Sequence, residues 1–134
     1  MFTYEKKILF GDCDAAGILF FANLFKYMHE AYEFFIEEFE DYAKHFNNAM
    51  LAYPIIKTEA EYFAPLFLGK TAAIKVIVAE VRESSFELNY EFSIDGETKA
   101  RGKTVHVCVN ISSGEKTPLP DKLAENLKLR IAKN

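Results

Sequence analysis

The sequence predicts an α+β fold in which one long helix is wrapped by an antiparallel sheet. Large apolar residues recur every three or four positions from Phe21 to Phe39, which places them along one face of an α-helix. The later half of the chain alternates apolar and polar residues in segments joined by short turns, and short turns favour antiparallel neighbours. An apolar helix face and an apolar sheet face must cover each other. Five strands around one helix is the simplest arrangement.

The predicted elements follow the chain in order. A half-buried strand over 2–10 leads into a loop, 11–17, where glycines and aspartates interrupt the alternation. After the helix, 41–52 forms a short helix or an irregular connection. The later strands are expected over 53–63, 71–83, 86–94 and 99–111. Asp95-Gly96 has the composition of a tight hairpin turn, and Asp121 is expected to cap a short helix ending near Ala132.

The alternation also predicts which strand residues face the core. Those residues are Phe2, Tyr4, Ile8, Phe10, Val76, Val78, Val81, Phe86, Leu88, Tyr90, Phe92, Ile94, Val105, Val107, Val109 and Ile111.

Length, composition and charge restrict the class of protein. With 134 residues, 50% of them hydrophobic, the chain is expected to form one domain, 1–134, with a proper core. A net charge of −4 gives no basic excess for a nucleic acid partner. Two cysteines do not make a disulfide framework, the N-terminal stretch is charged too early for a signal peptide, and no apolar run is long enough to span a membrane. We expect a cytoplasmic protein with no membrane partner.

The loop before the helix invites several interpretations. Asp12, Asp14 and Gly17 match the start of a calcium loop, but Ala16 and Asn23 stand where two further ligands belong. Cys13 paired with His29, His45 or His106 could form a nucleophilic site, although a small packing residue is the favoured interpretation. The histidines and aspartates lack metal-ligand spacing. We therefore expect no metal and no cofactor.

Both aspartates have a structural and a chemical interpretation. An aspartate before a helix commonly satisfies backbone donors, which is the favoured role of Asp12. A carboxylate beside the unpaired N–H groups of a helix N-terminus could instead attack a carbonyl group.

The run from Phe10 to Ile18, FGDCDAAGI, resembles the 4-hydroxybenzoyl-CoA thioesterase family of hotdog-fold enzymes. The family pattern D-x-D-x-x-G-[IV] stands here at Asp12, Asp14, Gly17 and Ile18. The likeness continues through most of the chain, in the segments Tyr53-Pro54-Ile55-Ile56, Ser85-Phe86, Gly102-x-Thr104 and Pro118-Leu119-Pro120. It implies the hotdog fold, a long central helix wrapped by a five-stranded antiparallel sheet.

The resemblance implies roles for individual residues. Asp14 becomes the catalytic carboxylate, as nucleophile or general base, and the backbone N–H of Phe21 polarises the thioester carbonyl. Gly17 and Arg82 are expected to contact the substrate. Some family members carry several basic residues just before the Ser-Phe pair, whereas the segment here, Arg82 to Phe86, has one cation and one acid. Other candidates for contact with the CoA nucleotide are Lys99, Arg101, Lys103 and Lys116.

Side chains on the helix and strands could shape the acyl pocket. His29 is either a packed or interface histidine, which is favoured, or a polar wall of that pocket. Tyr27, Tyr53 and Tyr62 could hydrogen-bond an aromatic acyl group, but packing is the simpler interpretation.

The resemblance implies an acyl-CoA thioesterase whose substrate is a CoA thioester. Segments such as His29-Glu30-Ala31-Tyr32-Glu33 and Phe63-Ala64-Pro65 look closest to 1,4-dihydroxy-2-naphthoyl-CoA hydrolases of quinone biosynthesis, so an aromatic acyl group is expected. A thioesterase for aliphatic acyl-CoA or acyl-carrier protein, a hotdog dehydratase or hydratase, and a non-catalytic acyl-CoA binding module remain alternatives. The resemblance also implies a homodimer or homotetramer, since family members join two sheets, and a lone curved sheet has exposed edges.

Overall fold

A computed structural model describes residues 1–131. Its helices and strands are β1 (Phe2–Lys7), a 3-10 turn (Phe10–Asp12), α1 (Asn23–Glu37), α2 (Tyr42–Phe46), β2 (Leu51–Ala52), β3 (Ile55–Tyr62), β4 (Thr71–Val81), β5 (Ser85–Ile94), β6 (Glu97–Val107), β7 (Val109–Asn110) and α3 (Asp121–Ile131).

Five strands form one sheet in the order β1-β4-β5-β6-β3, and every neighbouring pair is antiparallel. The short strands β2 and β7 pair separately. The predicted α+β class, with a five-stranded antiparallel sheet covering a helix in the hotdog arrangement, is confirmed. The expectation that consecutive strands are neighbours is wrong for β3 and β4, because β1 occupies that side of β4 and the connection between them bonds to the loop before α1.

The central helix α1 has 15 residues and is shorter than predicted at both ends. Its start is displaced because Phe20 and Asn23 close a turn, in which the Asn23 N–H donates to the Phe20 carbonyl at 2.8 Å. The apolar stripe is confirmed. Its buried residues are Leu24, Tyr27, Met28, Ala31, Tyr32, Phe35 and Ile36.

Strand β5 shows the predicted alternation without exception. All five of its predicted core residues are buried: Phe86, Leu88, Tyr90, Phe92 and Ile94. The hairpin turn to β6 is confirmed as well, since Asp95 and Gly96 both adopt positive φ, 52° and 78°. This hairpin forms the middle of the sheet against which α1 packs.

Some predicted core positions are wrong because strands end earlier than expected. Phe10 is 79% exposed, because β1 ends at Lys7 and the chain turns at 10–12. Ile111 is 51% exposed, because β6 ends at Val107 and the next residues pair with β2. Val81 and Val109 are half-buried.

The C-terminal helix α3 begins at Asp121 and lies against β4 with Leu123 and Leu127 buried. Its predicted end near Ala132 falls outside the described residues. No helix within residues 1–131 is both long enough and apolar enough to cross a membrane.

Candidate active site

The loop that follows β1 folds back on itself as a small hairpin. Cys13 pairs with Leu19, and the Asp14 N–H donates to the Ile18 carbonyl at 2.8 Å. At its tip the Gly17 N–H donates to the Asp14 carbonyl at 3.0 Å, and Gly17 has a φ of +76°. Residues with side chains rarely adopt this φ, which explains a glycine at the tip.

The hairpin orients the Asp14 carboxylate. Its Oδ1 accepts hydrogen bonds from the N–H groups of Ala16, at 2.9 Å, and Ile18, at 3.2 Å. Its Oδ2 receives no hydrogen bond from any residue between 1 and 131, and the side chain is exposed. One carboxylate oxygen is therefore fixed while the other stays available to a reactant.

A second segment, 66–70, holds the hairpin in place. The Leu19 N–H donates to the Leu66 carbonyl at 2.8 Å, and the Leu68 N–H donates to the Gly17 carbonyl at 2.9 Å. A Cβ added to Gly17 would lie 2.9 Å from Leu68 Cδ2. The connection between β3 and β4 thus buttresses the loop that carries Asp14.

The start of α1 lies against the same loop. The Asp12 carbonyl accepts hydrogen bonds from the Phe20 N–H and from Asn23 Nδ2, both at 2.9 Å. The Phe21 N–H, between these two anchors, has no acceptor in the described part of the chain. Phe21 lies in the turn two residues before α1. The N-terminal end of a helix carries partial positive charge, so a free N–H there can bind an oxygen with developing negative charge. The structure therefore brings the Asp14 loop and the Phe21 turn together through Asp12.

The exposed loop borders an open depression of about 620 Å³. Its lining comprises Phe10, Gly11, Cys13, Asp14, Ala15, Ala16, Gly17 and Leu68. Asp14 and Gly17 thus share one surface, whereas Phe21 and Arg82 do not line it.

Asp12 has a different environment from Asp14. Tyr27 donates its hydroxyl hydrogen to Asp12 Oδ2 at 2.8 Å, and Lys26 Nζ lies 3.3 Å from Oδ1. The Tyr27 hydrogen bond and the neighbouring Lys26 ammonium hold the pKa of the Asp12 carboxyl below its usual value. These contacts support the structural role expected for Asp12. Sequence reasoning missed Tyr27 as its partner, although Asn23 and Tyr27 are four residues apart and lie on one helix face.

Cys13 is not an activated thiol. Its Sγ donates to the Leu9 carbonyl at 3.4 Å, and its pKa is raised by burial and by the nearby Asp14 and Asp12. A cysteine nucleophile needs a lowered pKa. The packing interpretation is supported.

The histidines lie away from the loop, on α1, α2 and β6. His29 Nδ1 is 2.7 Å from Glu33 Oε2, and His29 borders a separate cavity of about 170 Å³ with Tyr32, His45 and Tyr53. His45 and His106 are buried. Within residues 1–131 no three His, Cys, Asp or Glu side chains converge as metal ligands would.

The cations considered for CoA binding mostly have acidic partners. Arg82 Nη2 lies 2.6 Å from Glu80 Oε2 and 3.9 Å from Glu87 Oε1. The other pairs are Lys99 with Glu97, Arg101 with Glu91, and Lys103 with Glu59. A phosphate would have to compete with these carboxylates, so the role of Arg82 stays a prediction.

Comparison with known proteins assigns the family. Residues 8–127 match the model of the thioesterase-like superfamily. A 1,4-dihydroxy-2-naphthoyl-CoA hydrolase of Gloeothece citriformis is 36% identical over 129 residues, covering 93% of this chain and 90% of that protein. The corresponding hydrolase of Microcystis aeruginosa is 37% identical over 121 residues, covering 90% and 88%.

Comparison with solved structures supports the same family assignment. A 1,4-dihydroxy-2-naphthoyl-CoA thioesterase from Synechocystis superposes with a TM-score of 0.86 at 26% identity, covering 98% of this chain and 95% of that one. A gentisyl-coenzyme A thioesterase gives a TM-score of 0.82 at 29% identity, covering 90% and 98%. The chain therefore belongs to the thioesterase-like superfamily, and the predicted class of enzyme, a thioester hydrolase, is confirmed.

Proposed function

We propose that this protein hydrolyses an aromatic acyl-CoA thioester, with 1,4-dihydroxy-2-naphthoyl-CoA as the leading substrate. The similar proteins of Gloeothece and Microcystis are 1,4-dihydroxy-2-naphthoyl-CoA hydrolases, which supports this choice of substrate. The observation that carries the chemistry is the Asp14 carboxylate, which is held through Oδ1 and open at Oδ2. Asp14 stands on a loop bonded to the start of α1, where the Phe21 N–H is free.

Two routes use the same carboxylate. As a nucleophile, Asp14 Oδ2 forms a bond to the thioester carbon, the carbon–sulfur bond breaks, and the CoA thiolate leaves and takes a proton from solvent. Water then cleaves the mixed anhydride and restores the carboxylate. As a general base, Asp14 instead takes a proton from water while the water oxygen attacks the thioester carbon; the carbon–sulfur bond then breaks, and the CoA thiolate leaves and takes up that proton.

Phe21 supports either route. Its N–H would donate to the thioester oxygen as negative charge develops there, and the partial positive charge at the start of α1 adds to this stabilisation. A thiol with a pKa of about 8.5, as for cysteine, is a good leaving group, so a strong general acid is unnecessary. Gly17 supports binding through its place in the lining of the depression.

The test is a hydrolysis panel of 1,4-dihydroxy-2-naphthoyl-CoA, a benzoyl-type CoA and an aliphatic acyl-CoA. We expect Asp14→Asn to lower kcat by about 100-fold or more, since general acid–base catalysis alone contributes roughly 10²–10⁴. The asparagine keeps an oxygen that can accept the Ala16 and Ile18 N–H groups. Asp41→Asn is the matched control, because Asp41 is an exposed aspartate that also accepts a backbone N–H, from Lys44 at 3.0 Å. Full activity in Asp14→Asn and Asp14→Ala would refute the assignment.

The same panel addresses the alternatives. Preference for the aliphatic substrate, or for an acyl-carrier protein thioester added to the panel, would replace the aromatic acyl group. Tight binding of CoA thioesters with no turnover would identify a binding module.

One observation favours a second activity. His29 and Glu33 form a histidine–acid pair at 2.7 Å beside a cavity, and a dehydratase or hydratase requires such a pair. Alkene hydration that is lost in His29→Gln but retained in Asp14→Asn would support this activity. The family match favours the thioesterase.

We also propose that the enzyme is a homodimer or homotetramer in the cytoplasm. Within residues 1–131, strand β3 pairs only with β6, and it exposes Ile55, Ile56 and Tyr62 on or beside its free edge. An unpaired edge of this kind is a template for pairing with a second chain. Sedimentation showing only a monomer of 15.3 kDa would refute the oligomer.

A further inference from the structure

A polar contact beneath the active loop joins the loop to the second turn of α1. The Tyr27 hydroxyl donates to Asp12 Oδ2 at 2.8 Å and accepts the Leu9 N–H at 3.4 Å. The Tyr27 side chain is fully buried, whereas the side chain of the preceding residue, Lys26, is exposed. A single phenol therefore fixes the chain both before and within the 3-10 turn that precedes Asp14.

The phenol has little freedom to swing away. Lys6 of β1 lies over the Tyr27 ring, with Nζ 4.9 Å from the ring centroid, and the same ammonium is 3.1 Å from Glu30 Oε2. A hydrogen bond from a neutral donor to a carboxylate is shorter and stronger than one between neutral groups. The Asp12–Tyr27 contact is therefore a fixed point between β1, the loop and α1.

The backbone of Asp12 connects the Asp12–Tyr27 contact to both reactive groups, the Asp14 carboxylate and the Phe21 N–H. Its carbonyl accepts from Phe20 N and Asn23 Nδ2, and these two residues flank the free N–H of Phe21. Asp14 is two residues further along the loop. The separation between the Asp14 carboxylate and the Phe21 N–H thus depends on where Asp12 is held.

We propose that Asp12 and Tyr27 act as a pair of positioning residues that set the attacking carboxylate of Asp14 and the oxygen-binding N–H of Phe21 at the spacing the reaction needs. The pair does not touch the reacting atoms. It acts through Asp12, and this inference rests on the proposed thioesterase function. Misplacement of reacting groups by about 1 Å can cost on the order of 100-fold in rate, so a contact remote from the substrate can control kcat.

Loss of stability alone would be the ordinary consequence of removing a buried hydroxyl, so the experiment separates the two effects. Tyr27→Phe removes the donor and keeps the ring. Tyr32→Phe is the matched control, because Tyr32 is buried on the same helix and its hydroxyl contacts His45 Nε2 at 2.6 Å, away from the loop. Both variants are measured for thermal unfolding, kcat and KM on the substrate that the wild type hydrolyses best.

We expect Tyr27→Phe to stay folded at the assay temperature and to lose about 10-fold or more in kcat, with KM within about threefold of wild type, because positioning is realised in the transition state. Tyr32→Phe should lose stability and keep its kcat. Asp12→Ala should lose as much kcat as Tyr27→Phe, and the double variant should lose no more than either, since the two residues act as one unit. Asp12→Asn, which keeps an acceptor for the Tyr27 hydroxyl, should recover part of the rate.

The proposal is overturned if Tyr27→Phe keeps kcat within twofold of wild type, if Tyr32→Phe loses as much kcat as Tyr27→Phe, or if the losses of the Asp12 and Tyr27 variants multiply. These failures differ from failure of the proposed function. An active wild type that Asp14→Asn does not impair, or a wild type inactive on every thioester, refutes the function itself. An active wild type that Asp14→Asn inactivates and Tyr27→Phe does not impair refutes only the positioning pair.

Discussion

The Tyr62 hydroxyl donates a hydrogen bond to the Phe21 carbonyl and so ties the edge strand β3 to the turn that begins α1. The two residues are 41 positions apart in the chain. Because the bond restricts rotation of the Phe21 backbone, it steadies the residue whose N–H is proposed to bind the thioester oxygen. Asp12 holds this turn through the Phe20 N–H and Asn23 Nδ2, and Tyr62 holds it through the Phe21 carbonyl.

Tyr62→Phe should therefore lower kcat about 2- to 10-fold, the range that corresponds to a net hydrogen bond of about 0.5–1.5 kcal/mol. Tyr42→Phe is a closely matched control, since Tyr42 and Tyr62 are both 44% exposed and the Tyr42 hydroxyl donates to Glu33 instead. The measurement is steady-state hydrolysis of the preferred acyl-CoA. Equal rates for the two variants would contradict a role for the Tyr62 contact.

Gly17→Ala should lower both stability and activity. At a φ of +76° an alanine is strained by about 1–2 kcal/mol, and its Cβ also requires Leu68 to shift. Gly114→Ala is the control, because Gly114 has a φ of +73° and open space around it. Chemical denaturation should show a loss of unfolding free energy in both variants, with the larger loss in Gly17→Ala because Leu68 must shift. Only Gly17→Ala should lose kcat, because Gly17 belongs to the Asp14 hairpin and Gly114 does not. Equal kcat values for Gly17→Ala and Gly114→Ala would contradict a role of Gly17 in the active loop.

The parts of the fold that sequence alone predicted are those set by local pattern. Strand β5 buries one face, so its apolar residues repeat with period two, and the Asp95-Gly96 turn is specified by its own backbone demands. Phe10 and Ile111 continue such a pattern in the sequence but lie beyond the ends of the paired strands. A strand ends where its partner ends, and the partner is distant in the chain.

The candidate site also has features that the sequence predicts and features that it does not. Asp14, Gly17 and Phe21 lie within eight residues of one another, so a loop followed by a helix start predicts their proximity. The sequence alone does not predict the contact between Tyr62 and Phe21, because this contact depends on how β3 pairs with β6. The sequence pattern favours packing for Tyr27, and only the direction of its hydroxyl distinguishes packing from a hydrogen bond to Asp12.

Gly102→Ala should destabilise the protein because α1 packs against the sheet without space for another side chain. A Cβ at Gly102 would collide with Met28 Sδ and lie 3.3 Å from the Glu59 carbonyl oxygen. Overpacking of this kind typically costs about 1–3 kcal/mol. Gly11→Ala, at a site with nothing within 4 Å, should be nearly neutral. Chemical denaturation provides the comparison, and a second substitution that shortens Met28 should recover part of the loss in Gly102→Ala.

His106 lies in the core of the protein with no exposed surface. Its ring stacks on Phe86 at a centroid distance of 4.7 Å, and its Nε2 is 2.8 Å from Thr104 Oγ1. Burial lowers the pKa of His106 from 6.5 to about 3, since the imidazolium would lose its hydration. The folded protein therefore holds this histidine neutral at pH values where the unfolded chain protonates it.

The His106 contribution to the free energy of unfolding should therefore be constant above pH 6.5 and fall as the pH drops toward 3, by about 1.4 kcal/mol per pH unit for one proton. The comparison is between wild type and His106→Gln, measured by denaturant unfolding from about pH 7.5 to 4.5. This range lies above the window of Asp12, whose lowered pKa makes stability fall only below its ordinary value of 3.8. The glutamine variant is expected to be less stable at every pH but to show a shallower slope, because it has no proton to gain. Identical slopes would mean that His106 binds a proton equally in both states and that its burial does not control the acid sensitivity of the fold.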